Sequence, residues 1–107
     1  MSRSKLPHRT DTNHAEISST FEKLGCSVFS AHAVGAGFPD LVVGCNGHTL
    51  LVEIKTESGK LTDDQIKFIR SWNSTVYVVR NNDDVVSLVN HYRTVNNQPR
   101  KANPFEG

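Results

Sequence analysis

At 107 residues, with 36% hydrophobic and 21% charged, the chain is long enough for one ordinary domain, which leaves no room for a second core and fits neither a disordered nor a fibrous protein. The formal charge of +1 argues at first sight against a nucleic-acid binder, since contact with phosphates normally calls for a basic patch. The sum conceals a pattern, because Arg3, Lys5 and Arg9 open the chain with no acid among them, Arg93, Arg100 and Lys101 near the end meet only Glu106, and the body between is net acidic.

Residues 1–11, polar and basic with Pro7, are expected to form a flexible arm. A folded domain over 12–92 follows, then a flexible tail over 93–107, where Asn96, Asn97, Pro99, Asn103 and Pro104 cluster. Ile17, Phe21 and Leu24 recur at helical spacing and predict a helix over 13–24, with Asn13 as its cap and Gly25 as its stop. A strand is expected over 27–33. The turn-rich run Gly35-Ala36-Gly37-Phe38-Pro39 then leads into strands at 40–44 and 49–56, and Asn46-Gly47 between them is a strong hairpin signal. Thr62 to Trp72 reads as a second helix, Thr75 to Arg80 as a fourth strand and Asp83 to Tyr92 as a final short helix, giving the order αβββαβα. The fold class is α/β: a mixed, hairpin-centred sheet flanked by helices. No apolar run is long enough to cross a bilayer and no signal peptide is visible, so a cytoplasmic protein is expected. Cys26 and Cys45 lack metal-ligand spacing and read as reduced packing residues.

The hairpin carries the chemistry. With Asn46 and Gly47 in the loop, Cys45 pairs with His48, and counting outward sets Asp40 opposite Glu53. Facing residues of an antiparallel pair point to the same side, so two carboxylates converge, and Lys55 points the same way. Leu41, Val43, Leu50, Val52 and Ile54 line the other side as a core face, which fixes the register. Like charges facing each other destabilise a sheet, and a hard divalent cation with a neighbouring ammonium would compensate them. The alternative from geometry alone is a solvated Asp-Glu-Lys ion pair on an edge hairpin, common on surfaces and worth little.

Pro39-Asp40, the hairpin, then Glu53-Ile54-Lys55 resembles the signature of the PD-(D/E)xK nuclease superfamily. With Gly37-Phe38-Pro39-Asp40-Leu41, Val52-Glu53-Ile54-Lys55 and Leu61-Thr62-Asp63-Asp64-Gln65 in order, the chain resembles the VRR-NUC branch, found as stand-alone phage proteins and as domains of repair nucleases. The resemblance implies a restriction-endonuclease-like core and hydrolysis of phosphodiester bonds in DNA with Mg²⁺ or Mn²⁺. It further implies selectivity for branched DNA of the Holliday-junction-resolvase kind, in the cytoplasm of a bacterial or phage-infected cell. Carried over by position, it makes Asp40, Glu53 and the Ile54 carbonyl metal ligands, gives Lys55 the attacking water, and adds Gln65 and Glu16 to the catalytic set.

Gln65 falls within the apolar arc of the second helix at about 100° per residue and is expected to point inward, although Thr62 and Gln65 also read as a capping box. Glu16 lies at the border of the Ile17, Phe21, Leu24 stripe, where Asn13 and Glu16 also suit a capping box. Of the 5 histidines, none shows ligand spacing, and all read as surface or loop residues. Phe21, Phe68 and Trp72 are expected in the core. Lys60, Lys67 and Arg70 flank the site and, with Arg3, Lys5 and Arg9, are the candidate DNA contacts. One centre per chain would favour a two-fold homodimer for symmetric cutting of two strands. Two rival readings are a non-catalytic nucleic-acid-binding module on the same fold, against which the intact Asp40, Glu53 and Lys55 count, and a restriction-type endonuclease, for which the chain shows no extra base-reading segment.

Overall fold

The computed structural model describes residues 9–94. Four strands form one sheet in the order β1-β2-β3-β4, where β1 is Ser27–Ser30, β2 Leu41–Cys45, β3 His48–Ile54 and β4 Val76–Val79. The first three run antiparallel to their neighbours, while β3 and β4 are parallel. A parallel pair needs a crossover, and helix α2 (Asp63–Ser71) supplies it; α1 (Arg9–Lys23) precedes the sheet and α3 (Asn82–Arg93) follows it. The fold is therefore the mixed α/β architecture expected from the hydrophobic pattern.

The hairpin register agrees with the count from its turn: Cys45 pairs with His48 and Leu41 with Val52. Asn46 and Gly47 both take positive φ (52° and 86°), as a two-residue turn matched to the strand twist requires. Leu41, Val43, Leu50, Val52 and Ile54 are all buried in one cluster with Ile17 and Phe21 of α1, Val79 of β4 and Val85 and Val89 of α3. Thus α1 and α3 cover one face of the sheet, and alternation along β3 sends Glu53 to the other. Cys26 and Cys45 are buried and free. Burial pushes the Cys26 thiol up to about 12, with Cys45 beside it adding to the effect, which suits unreactive packing residues.

Several boundaries differ from expectation. Helix α1 starts at Arg9, inside the segment read as an arm, so Asn13 is an interior residue and not a cap; its side-chain amide donates to the Lys55 carbonyl at 3.1 Å. Strand β1 ends at Ser30, and a 3₁₀ turn over His32–Val34 replaces the end of the expected strand. Helix α3 runs through Arg93, past the expected start of the tail. Helix α2 buries no residue: Phe68 is half-buried, edge-on to Phe38, and Trp72 is 42% exposed and stacked on Phe68, so the expectation of core positions for these two fails. The reason is that α2 meets the Phe38 loop and the Glu53 side of the sheet, apart from the α1–α3 core.

The loop that delivers Asp40 is fixed from α2. Gly37 (φ +81°) lies so close to the start of that helix that a Cβ on it would be 2.3 Å from the Asp64 carbonyl oxygen. Gly37→Ala should therefore combine left-handed strain with a backbone clash and cost more than about 2 kcal/mol, read as a lowered denaturation midpoint. Wild-type stability would show that the loop can leave α2 freely.

Candidate active site

Asp40 stands one residue before β2 and continues the ladder on the β1 side. The Ala31 amide donates to the Asp40 carbonyl at 2.8 Å, and on the other side the Ile54 amide donates to Asp40 Oδ2 at 2.8 Å. Backbone on either side thus fixes the carboxylate in place. Glu53, directly across, is only 2% exposed, and Asp40 is 9% exposed.

Their ionisation is strongly split. Burial pushes the Glu53 carboxyl up, the hydrogen bond to Asp40 and the Asp40 charge add to this, and Lys55 opposes it without cancelling it, so that it stands at about 8. Burial acts upward on Asp40 too, but His14, the Ile54 N–H and the Glu53 proton outweigh it and bring the carboxyl down to about 2. The two facing acids thus part in opposite directions, Glu53 held up and Asp40 held down, as expected for like acids in one buried site.

Lys55, two residues along the same side of the chain, sets its Nζ 3.8 Å from Glu53 Oε2. Gln65 of α2 donates from Nε2 to the same oxygen at 2.9 Å. The other end of that amide closes the capping box: Gln65 Oε1 accepts from the Thr62 N–H at 2.8 Å, and Thr62 Oγ1 accepts from the Gln65 N–H at 3.2 Å. Both readings of Gln65 hold at once, because capping fixes its oxygen and leaves its nitrogen free for Glu53. The two roles separate by mutation. Thr62→Ala should cost about 1 kcal/mol through the lost cap alone, whereas Gln65→Ala should cost more, since Glu53 also loses its donor. Equal losses in parallel urea titrations would reduce Gln65 to a capping residue.

Glu16 is not brought to this group. It is exposed, accepts from Asn82 Nδ2 at 3.1 Å, and lines a cleft of about 460 Å³ with Asn13, Thr56, Glu57, Arg80 and Asn82. His14 takes the place beside Asp40 instead, with Nε2 3.5 Å from Oδ2, while His32 brings Nδ1 to 3.7 Å from Oδ1. Residues two apart on a helix point about 200° apart, so His14 and Glu16 cannot both face Asp40. The expectation of a surface or loop residue is corrected for His14, which is largely enclosed, whereas His32 is an exposed turn residue as expected but brings its ring up to Asp40. His14 precedes Ile17 by three positions, a signal that sets it on the inward stripe; His32 could be found only from the β1–β2 register, which brings Ala31 against Asp40.

Arg80 also escaped the sequence reading. Its Nη1 donates to the carbonyls of Thr56 and Gly59, both at 2.7 Å, clamping the turn that follows Lys55. Of the candidate DNA contacts, Lys60 lines a small cavity of about 130 Å³ together with Lys55, Asn13 and Gly59, while Lys67 and Arg70 are exposed on α2. Arg3 and Lys5 lie outside the described residues, and Arg9 opens α1.

Two buried carboxylates, a lysine and a glutamine come together at one end of the sheet. The family model for the VRR-NUC domain matches residues 6–81, and the chain belongs to the VRR-NUC family of PD-(D/E)xK nuclease-like domains. No curated protein and no solved structure gives a significant match. Among the described residues, no helix is long and apolar enough to cross a membrane.

Proposed function

We propose that the protein is a metal-dependent deoxyribonuclease that hydrolyses phosphodiester bonds, with Mg²⁺ or Mn²⁺ as cofactor and branched DNA as its preferred substrate. The observation that carries the reading is the buried Asp40–Glu53 pair with Lys55 Nζ 3.8 Å from Glu53 Oε2. Without a cation that pair keeps a proton, and its hard oxygen donors match the ligand preference of Mg²⁺ and Mn²⁺. Asp40, Glu53 and the Ile54 carbonyl would hold the ion, which when bound polarises the scissile phosphate and lowers the pKa of the attacking water.

The chain's own groups do the rest. Lys55, 16% exposed at its side chain, keeps an ammonium where negative charge grows on the phosphate. Gln65 holds Glu53 Oε2 so that the carboxylate stays turned towards Asp40. Asn13 and Arg80 pin the backbone on both sides of the Lys55–Gly59 segment, which keeps the ammonium in register with the carboxylates. Lys60, Lys67 and Arg70, together with the basic residues near the two ends of the sequence, supply phosphate contacts, and a two-fold dimer would set two such centres on two strands.

The test is a substrate panel. The full chain is incubated with labelled duplex, flap and four-way-junction DNA, with Mg²⁺, Mn²⁺ or chelator. Metal-dependent cutting that favours the branched forms is expected, and cutting unaffected by chelator would overturn the mechanism. Binding without cutting on any substrate would favour a scaffold that retains only the fold. Deleting residues 1–8 and 95–107 should weaken binding and flatten its salt dependence; an unchanged slope would leave the phosphate contacts to the folded body.

A further inference from the structure

The Asp40–Glu53 reading uses one side of Asp40 and leaves the two histidines without a task. One ring nitrogen from each of His14 and His32 and one carboxylate oxygen of Asp40 lie within 4.8 Å of one another. Neither imidazole is within ordinary hydrogen-bond distance of Asp40, at 3.5 Å and 3.7 Å. Metal–nitrogen and metal–oxygen bonds of about 2.1 Å set neighbouring ligand atoms roughly 3–3.5 Å apart, so the His14 separation matches the edge of a coordination polyhedron and that of the exposed His32 lies a little beyond it. Two imidazoles and one carboxylate, with open positions remaining, form a donor set that transition ions prefer and Mg²⁺ does not.

The three donors also come from independently fixed elements. Ile17 and Phe21, fully buried, anchor the α1 face that carries His14, and the rest of His14 is enclosed to 19% exposure. Ala31, donating to the Asp40 carbonyl, fixes the start of the turn that carries His32. His32 itself is 71% exposed, so it closes the site from the solvent side and can give by the fraction of an ångström that ligation needs. The rings meet edge-on with centroids 5.5 Å apart, and His14 Nε2 and His32 Nδ1 are the nitrogens that approach the carboxylate, one at each oxygen.

We propose that His14, His32 and Asp40 form a second cation position, sharing Asp40 with the Glu53 position and taking a borderline divalent ion (Mn²⁺, Co²⁺ or Zn²⁺) in preference to Mg²⁺. The proposal rests on the nuclease reading only in treating Asp40 as a cation ligand. It makes the centre binuclear, with a nitrogen-ligated ion on the solvent side and an oxygen-ligated ion against Glu53.

The test uses the full chain without an affinity tag. Co²⁺ is titrated in and followed by its visible absorption, which reports nitrogen ligation, and Mg²⁺ is titrated by calorimetry. Variants are His14→Gln, His32→Gln and Glu53→Gln, each checked by circular dichroism. His32→Gln, on an exposed turn, should fold normally, weaken Co²⁺ binding at least ~10-fold and leave Mg²⁺ binding unchanged; His14→Gln should behave alike. Glu53→Gln should do the reverse. If His32→Gln binds Co²⁺ like the wild type, or the wild type gives no Co²⁺ spectrum, the second position does not exist and the histidines are only ion-pair partners of Asp40. If Glu53→Gln leaves Mg²⁺ binding intact, the nuclease reading fails and the histidine position stands or falls on its own spectrum.

Discussion

Raising the pH of the metal-free protein from 5 to 8 should lower its melting temperature steadily. Glu53 has a folded-state pKa of about 8 against 4.5 for the free group. The folded state therefore binds the proton more tightly, and the stability this confers is complete below pH 4.5 and lost as pH rises through about 8. For a carboxyl this buried the loss is on the order of 3–5 kcal/mol, enough to move the melting point of a domain this size by more than ~10 °C. Asp40 works in the opposite direction and lower down: with its pKa at about 2 against 3.8, it contributes stability above pH 3.8 that disappears as pH falls through 2. The metal-free protein should thus be most stable near pH 4–5. Glu53→Gln, which mimics the protonated side chain, should flatten the decline. A melting temperature that is constant or rises from pH 5 to 8 would mean that the Glu53 carboxyl is not held up.

The second large effect concerns cutting. Asp40→Asn and Lys55→Ala should each reduce metal-dependent DNA hydrolysis by at least ~100-fold, one by removing a charged ligand and the other by removing the ammonium near the developing charge. Both should fold. Asn at position 40 can still accept from the Ile54 N–H, and Lys55 makes one long ion pair at 3.8 Å. Asp40→Asn relieves carboxylate repulsion only where Glu53 is also charged, and with Glu53 pushed up to about 8 any gain is confined to alkaline pH. Single-turnover cleavage, with melting curves taken on the same samples, checks both statements; a variant that cuts at the wild-type rate would remove its residue from the centre.

What the sequence made legible follows from how local the signal is. Asn46-Gly47 sets a two-residue turn, and that turn alone fixes the strand register, the core face from Leu41 to Ile54 and the facing of Asp40 and Glu53. Gln65 was also accessible, because helical angle and capping are both local rules. What was hidden depended on contacts between distant segments. Asn13 looked like a cap because it fits the rule for one, but the helix continues back to Arg9 and Asn13 is used on Lys55, 42 residues away. His14 and Glu16 could not be ranked without knowing which side of α1 meets Asp40, and family precedent favoured Glu16, whereas the fold presents His14. Arg80 clamps carbonyls, and no sequence pattern marks an arginine that binds backbone. The charge sum was misleading for a related reason: burial and the Asp40 charge push the Glu53 carboxyl up to about 8, which makes the acidic body less negative near neutrality than its composition states.

A cation bound at the Asp40–Glu53 pair should displace the proton that Glu53 holds in its absence. The most direct measurement is calorimetric titration of Mg²⁺ into the full chain at pH 7 in two buffers of different ionisation enthalpy. About one proton should be released per ion bound, and Glu53→Gln should abolish that release. Mg²⁺ binding with no proton release, or release undiminished in Glu53→Gln, would contradict the assignment of this pair as the metal centre.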